Sequence, residues 1–115
     1  MISKKDLKEY LRTGATLDKN GDSVNFKSGY QVGGVSEVAT INKNNLNEIL
    51  KEVKKLLTGC PASAFVGLWV HDGVVYVEYS EHVERLSEAM QKGIDRDEFS
   101  IWDWMFKREI RTREC

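Results

Sequence analysis

Two alternating runs, Phe65 to His71 and Val74 to Ser80, flank the dipeptide Asp72-Gly73, and this combination constrains the chain more than any other feature. Asp-Gly suits a two-residue type I′ turn, whose central positions both need positive φ. The turn sets the register, so that residue 71 faces 74, 69 faces 76 and 67 faces 78. Alternation then sorts the side chains. One face carries Val66, Leu68 and Val70 against Val75, Val77 and Tyr79, all suited to a core. The other carries Phe65, Gly67, Trp69 and His71 against Val74, Tyr76, Glu78 and Ser80, aromatic but not purely apolar.

Around this hairpin the pattern changes to helical. Leu46, Ile49, Leu50, Val53, Leu56 and Leu57 recur at three- and four-residue steps and predict a helix from 46 to 57. Asn42 or Asn44 can cap its start, and Gly59-Cys60-Pro61 ends it, the glycine as a left-handed residue. Ser3 and Asp6 form a capping box, with Ile2 and Leu7 as its staple, for a short helix over 3–13 that stops at Gly14. Val83, Leu86, Ala89 and Met90 mark one side of a third helix over 82–92, ended by Gly93. Between the first two helices, Asn20-Gly21 signals a turn between Thr16-Leu17 and Val24 to Phe26, and Gly29 to Val32 and Glu37 to Ile41 suit further short strands. Phe99 to Phe106 reads as a last strand, with Phe99, Ile101 and Met105 opposite Trp102, Trp104 and Phe106. The expected fold is α+β, a single domain over 1–115: a mostly antiparallel sheet around the hairpin 65–80, with about three helices packed on one side.

At 115 residues the chain is the size of one domain, and its 17 basic and 18 acidic residues leave a net charge of −1. That balance argues against long nucleic acids and polybasic membrane binding. No stretch has the length of a membrane span, and Met1 to Asp6 turns charged at once, so the chain reads as cytosolic. Cys60 and Cys115 lack partners at metal-ligand spacing and read as free thiols.

The search for catalytic chemistry finds none. The glycines from Gly29 to Gly34 precede no helix, as a phosphate loop requires, and read as tight turns. Asp18, Asn20 and Asp22 begin like a calcium loop, but Gly21 stands at the fourth place and Gly29 at the twelfth, so a solvated turn is the better reading. No metal ligands or cofactor are expected. His71 and His82 lack an evident nucleophile or acid-base partner. Two signals stand out instead. Trp69 and Tyr76 pair across the hairpin, and Trp102, Trp104 and Phe106 add aromatic surface, which either fills space or stacks a base. Lys107 to Glu114 holds four cations against two acids, and alternate Arg111 and Arg113 project to one side of an extended chain, as bidentate phosphate binders do.

The order of Gly29-Tyr30-Gln31-Val32, Gly67-Leu68-Trp69-Val70-His71-Asp72-Gly73-Val74-Val75-Tyr76-Val77 and Phe99-Ser100-Ile101-Trp102-Asp103 resembles a family of small phage and prophage proteins, over roughly residues 15–110. In that family these blocks look like GYMVS, GxWVDxGxVYLDVS and NQxAIxD. In size and shape the chain is similar to the Thoeris anti-defence sponges, which bind a cyclic ADP-ribose signal and withhold it from its effector. The resemblance implies a homo-oligomer, a dimer or higher, that binds the signal between subunits without cleaving it in the cytoplasm of an infected bacterial host. Asp97-Glu98 replaces the family's Asn-Gln, putting acceptor-only groups where amides donate and accept.

The expected function is thus non-enzymatic sequestration of a cyclic ADP-ribose-like nucleotide. Trp69 and Tyr76, or Trp102 and Trp104, would stack the base, and Arg108, Arg111 and Arg113 would hold phosphate. The alternative is a phage-encoded protein-protein inhibitor of a host defence complex, similar to an anti-CRISPR, whose interface anchors are the same residues.

Overall fold

The computed structural model describes residues 2–36 and 38–112. Its elements are α1 (Lys4–Tyr10), β1 (Ala15–Leu17), β2 (Tyr30–Val32), β3 (Ala39–Asn42), α2 (Leu46–Thr58), β4 (Phe65–His71), β5 (Val74–Val83), α3 (Leu86–Asp95), β6 (Ser100–Asp103) and β7 (Arg108–Arg111). The fold is α+β, with three helices on a seven-stranded antiparallel sheet.

The β4–β5 hairpin has the expected register throughout, from Phe65 opposite Ser80 to His71 opposite Val74. Asp72 and Gly73 have φ of 51° and 77°, as the turn requires. β5 runs past the hairpin to Val83 and changes partner along one edge. Its first half pairs with β3, placing Ala39 opposite Val77, and its last residues pair with β2, placing Val32 opposite Glu81. β2 then continues to β6 and β7, while β4 continues on the other side to β1.

Every helix packs on the same face of this branched sheet. Ile49 and Val53 of α2 bury against Val66, Leu68, Val75 and Val77, and Leu7 of α1 joins the same core. Ala89 of α3 packs with Val32, Val83 and Ile101, which strand alternation places on that face too. Glu81, also on this face, meets Lys92 at 2.9 Å and Arg96 at 2.5 Å, tying α3 to β5.

Several boundaries differ from expectation for local reasons. α1 has the capping box of Ser3 and Asp6, but ends at Tyr10. Asn45, not Asn42 or Asn44, caps α2, its side chain accepting from the Glu48 N–H. Asn42 accepts from the Asn44 N–H instead, bending the chain between β3 and the helix. Gly59 ends α2 with φ of −99°, so it is not a left-handed cap. The third helix starts later than expected because residues 80–83 continue β5 and bury Val83 in the sheet. Gly93 lies inside it, fully buried, where a Cβ would stand 2.8 Å from Thr112 Cγ2 and 3.1 Å from Ile101 Cγ2. There it permits close helix-sheet packing and ends nothing. The single last strand is a hairpin: β6 stops at Asp103, whose side chain accepts from the Met105 and Phe106 N–H groups, and β7 returns beside it. Met105 and Phe106 are exposed at its turn. Ser23 to Lys27 makes one bridge, Leu17 to Ser23, instead of a strand.

Candidate binding cleft

Alternation leaves the even-numbered residues of β5, with Trp69 of β4, on the helix-free face. Thr40, Tyr76 and Trp69 lie in one row across β3, β5 and β4. Gly67 follows Trp69 on that face, and the indole lies along it, with Nε1 2.9 Å from where a Gly67 Cβ would stand. The glycine leaves the room that the ring occupies. Ser100 and Arg111, partners in the β6–β7 register, and Glu109 line the same cavity as these rings. The cleft is open to solvent and has a volume of about 510 Å³, with Phe99 and His71 also in its lining.

Two lining residues, Glu78 and Glu98, come together where β5 changes partner. The chain from β2 to β3 turns at Gly33-Gly34, and Val35 N–H donates to the Tyr79 carbonyl at 3.3 Å. The Gly34 N–H donates to Glu78 Oε1 at 3.0 Å. Glu98 reaches the same point from the segment after α3, and a Cβ on Gly33 would collide with Glu78 Oε1 and stand 2.6 Å from Glu98 Oε1. Arg96 holds the turn from the other side, donating to the Gly33 carbonyl at 3.3 Å.

Two carboxyls so placed do not both ionise easily. Burial pushes Glu78 up from 4.5 to about 8, and the charge and hydrogen bond of Glu98 add to the shift. Glu98 is raised as well, by burial, with the hydrogen bond from Glu78 and the charge of Arg96 pulling the other way. We place the shared proton on Glu78, which is 4% exposed and donates to the half-buried Glu98 carboxylate. The lining brings the acidic side chains of Asp97, Glu98 and Glu109 together with the Arg111 guanidinium. Trp69 Nε1 is the one buried side-chain nitrogen or oxygen without a partner among the described residues.

Of the residues expected to bind ligand, Trp69, Tyr76 and Arg111 line this cleft together. Trp102 and Trp104 lie elsewhere and meet edge to face, 6.2 Å apart. Trp104 is buried, donates to Gln31 Oε1 at 3.1 Å and packs on Phe26, so its ring is spent on structure. Arg108 stands outside the cleft, 3.7 Å from Asp103 and over the Phe106 ring. A three-residue offset places it and Arg111 on opposite sides of β7. Arg113 and Cys115 lie outside the described residues. His82 has a structural place: it stacks on Phe26 at 3.9 Å, and Nε2 lies 2.8 Å from the Ser28 carbonyl oxygen. Among the described residues no group of three or more His, Cys, Asp or Glu side chains is arranged to hold a metal ion, and no helix is long and apolar enough to cross a membrane.

Glu78 was not singled out from the sequence, although the hairpin register already placed it beside Gly67 on the aromatic face. The signal linking it to Glu98 was Gly33-Gly34, where two small residues in succession mark a close approach by another part of the chain.

No family model, curated protein or solved structure matches the chain.

Proposed function

We propose that the protein binds a small nucleobase-bearing ligand in this cleft and releases it chemically unchanged, acting as a sponge for a cyclic ADP-ribose-like signal during phage infection. The observation that carries the reading is that Arg111 lines the same cleft of about 510 Å³ as Trp69 and Tyr76. Aromatic side chains stack bases of any sequence, and a guanidinium holds phosphate. The volume falls in the range of small-molecule sites. The carboxylates in the lining repel phosphate, so the phosphates belong at the Arg111 end and the base over the two rings. Self-association into a dimer or higher oligomer, with further contacts from a second copy, belongs to the same proposal.

A melting scan against cyclic ADP-ribose isomers tests it. Ligand at a hundred times its Kd stabilises by about 2.7 kcal/mol, a shift easily seen in a domain of this size. Recovery of intact ligand after heating separates storage from hydrolysis. If no nucleotide moves the midpoint, the reading falls.

The exposed Phe99, Met105 and Phe106 favour the second reading, a protein-protein inhibitor with these side chains as anchors. Capture of one host defence protein, lost in Phe106→Ser, with no nucleotide shift, is the outcome that selects it.

A further inference from the structure

Stacking alone does not choose between bases, because every base has a π face. Choice needs a directional group at the ring edge, and the cleft holds one. Glu98 is half-buried and lines the same cleft as Trp69 and Tyr76. Its carboxyl is hydrogen-bonded to that of Glu78, whose Oε1 also accepts from the Gly34 N–H. The Thr112 hydroxyl donates to the Glu98 backbone carbonyl, and the Glu98 N–H donates to the Gly93 carbonyl at 2.9 Å. The segment carrying the side chain is therefore fastened at both backbone groups. An ionised carboxylate has about four acceptor positions and no donor, so one hydrogen bond with Glu78 leaves several for a ligand.

We propose that Glu98 is the specificity-determining residue of the cleft, accepting a hydrogen bond from the exocyclic amine of a stacked heteroaromatic ring and turning away rings that carry an oxo group there. The ligand class is an amino-bearing base of the adenine type, as opposed to hypoxanthine. Glu78 and Gly34 are positioning residues that fix the carboxylate. The inference rests on the base-binding reading above and adds the chemical group that the ring must carry.

The test compares two probes of equal charge and shape, ADP-ribose and its hypoxanthine counterpart, by calorimetric titration of the full chain. A carboxylate that gains an N–H donor from one and faces a carbonyl oxygen in the other gives roughly a 10- to 100-fold preference for the amino probe. In Glu98→Gln, whose amide both donates and accepts, that preference shrinks to near unity or reverses, while Trp69→Ala weakens both probes alike. Equal binding of the two probes by the unmodified chain, with both lost in Trp69→Ala, overturns the role of Glu98 and leaves the base-binding reading standing. Binding of neither probe overturns both. Should Glu98→Gln not fold, the probe comparison on the unmodified chain still decides.

Discussion

A methyl group on Gly33 would collide with the Glu78 carboxyl and crowd that of Glu98. Gly33→Ala must therefore push the Gly33-Gly34 turn off β5 or force the carboxyl pair apart. Overpacking of this kind costs about 1–3 kcal/mol. Urea denaturation of Gly33→Ala should show a loss of that size. Glu78 has a second consequence, in pH. Unfolded, it titrates near 4.5, whereas folded it keeps its proton to about 8. Between those values the folded chain binds more protons, so stability is fully present below 4.5 and is lost as pH rises towards 8. Asp6 is shifted the other way, by its hydrogen bonds with Ser3, and its contribution is lost only as pH falls through its own range. The melting temperature should therefore decline from pH 5 to pH 8, and Glu78→Gln should flatten that slope. A slope unchanged in Glu78→Gln would show that other groups set it. That Trp69 and Tyr76 share one face was legible in the sequence, because the Asp72-Gly73 turn fixes their register locally; that Arg111 lines the same cleft was not, because the β6–β7 hairpin reads as a single strand until it turns. The carboxyl pair was not, because its partners are 20 residues apart and meet only when β5 exchanges β3 for β2.

At the scale of the element, α1 shows how far a cap can carry a short helix. It has seven residues, and the Ser3 hydroxyl accepts from the Asp6 N–H while Asp6 returns the contact to the Ser3 N–H. Helices this short are marginal without such help. Ser3→Ala should lower stability by about 1 kcal/mol in chemical denaturation. α3 depends on the reverse of capping, a missing side chain. Gly93→Val places a branched side chain against Thr112 and Ile101, and should cost about 1–3 kcal/mol with α3 displaced from the sheet, visible as faster amide exchange in Leu86–Asp95. The hairpin register and the core face of α2 were readable because turn chemistry and periodicity are local. Gly93 was misread as a terminator for the same reason: a glycine that ends a helix and one that admits a neighbour are indistinguishable until the neighbour is in place. Val83 matched the helical period, but pairing with Tyr30 of β2 outweighed it.

On the scale of the whole molecule, β5 belongs to both hydrophobic cores, contributing Val75 and Val77 to the one around α2 and Val83 to the one around α3. Gln31 joins the two branches on the opposite face. Fully buried, it donates to Ser80 Oγ at 2.9 Å and accepts from Trp104 Nε1 at 3.1 Å. Gln31→Ala strands both partners and opens a void, at a cost of about 2–5 kcal/mol. Because a single strand serves both cores, the loss should lower one common transition. Urea midpoints followed by tryptophan fluorescence and by far-ultraviolet circular dichroism should coincide before and after the substitution, and separate midpoints would mean that the branches unfold independently.

A sheet that forks at one strand has three free edges instead of two, here β1, β3 and β7. Each is an invitation to pair with another chain, and each is kept short, at three or four residues. β7 adds Arg108, Glu109 and Arg111 along its length, charges that disfavour stacking against an identical strand. The branching that opens the cleft thus increases the protein's exposure to aggregation, and brevity and charge at the margins are what hold it in check.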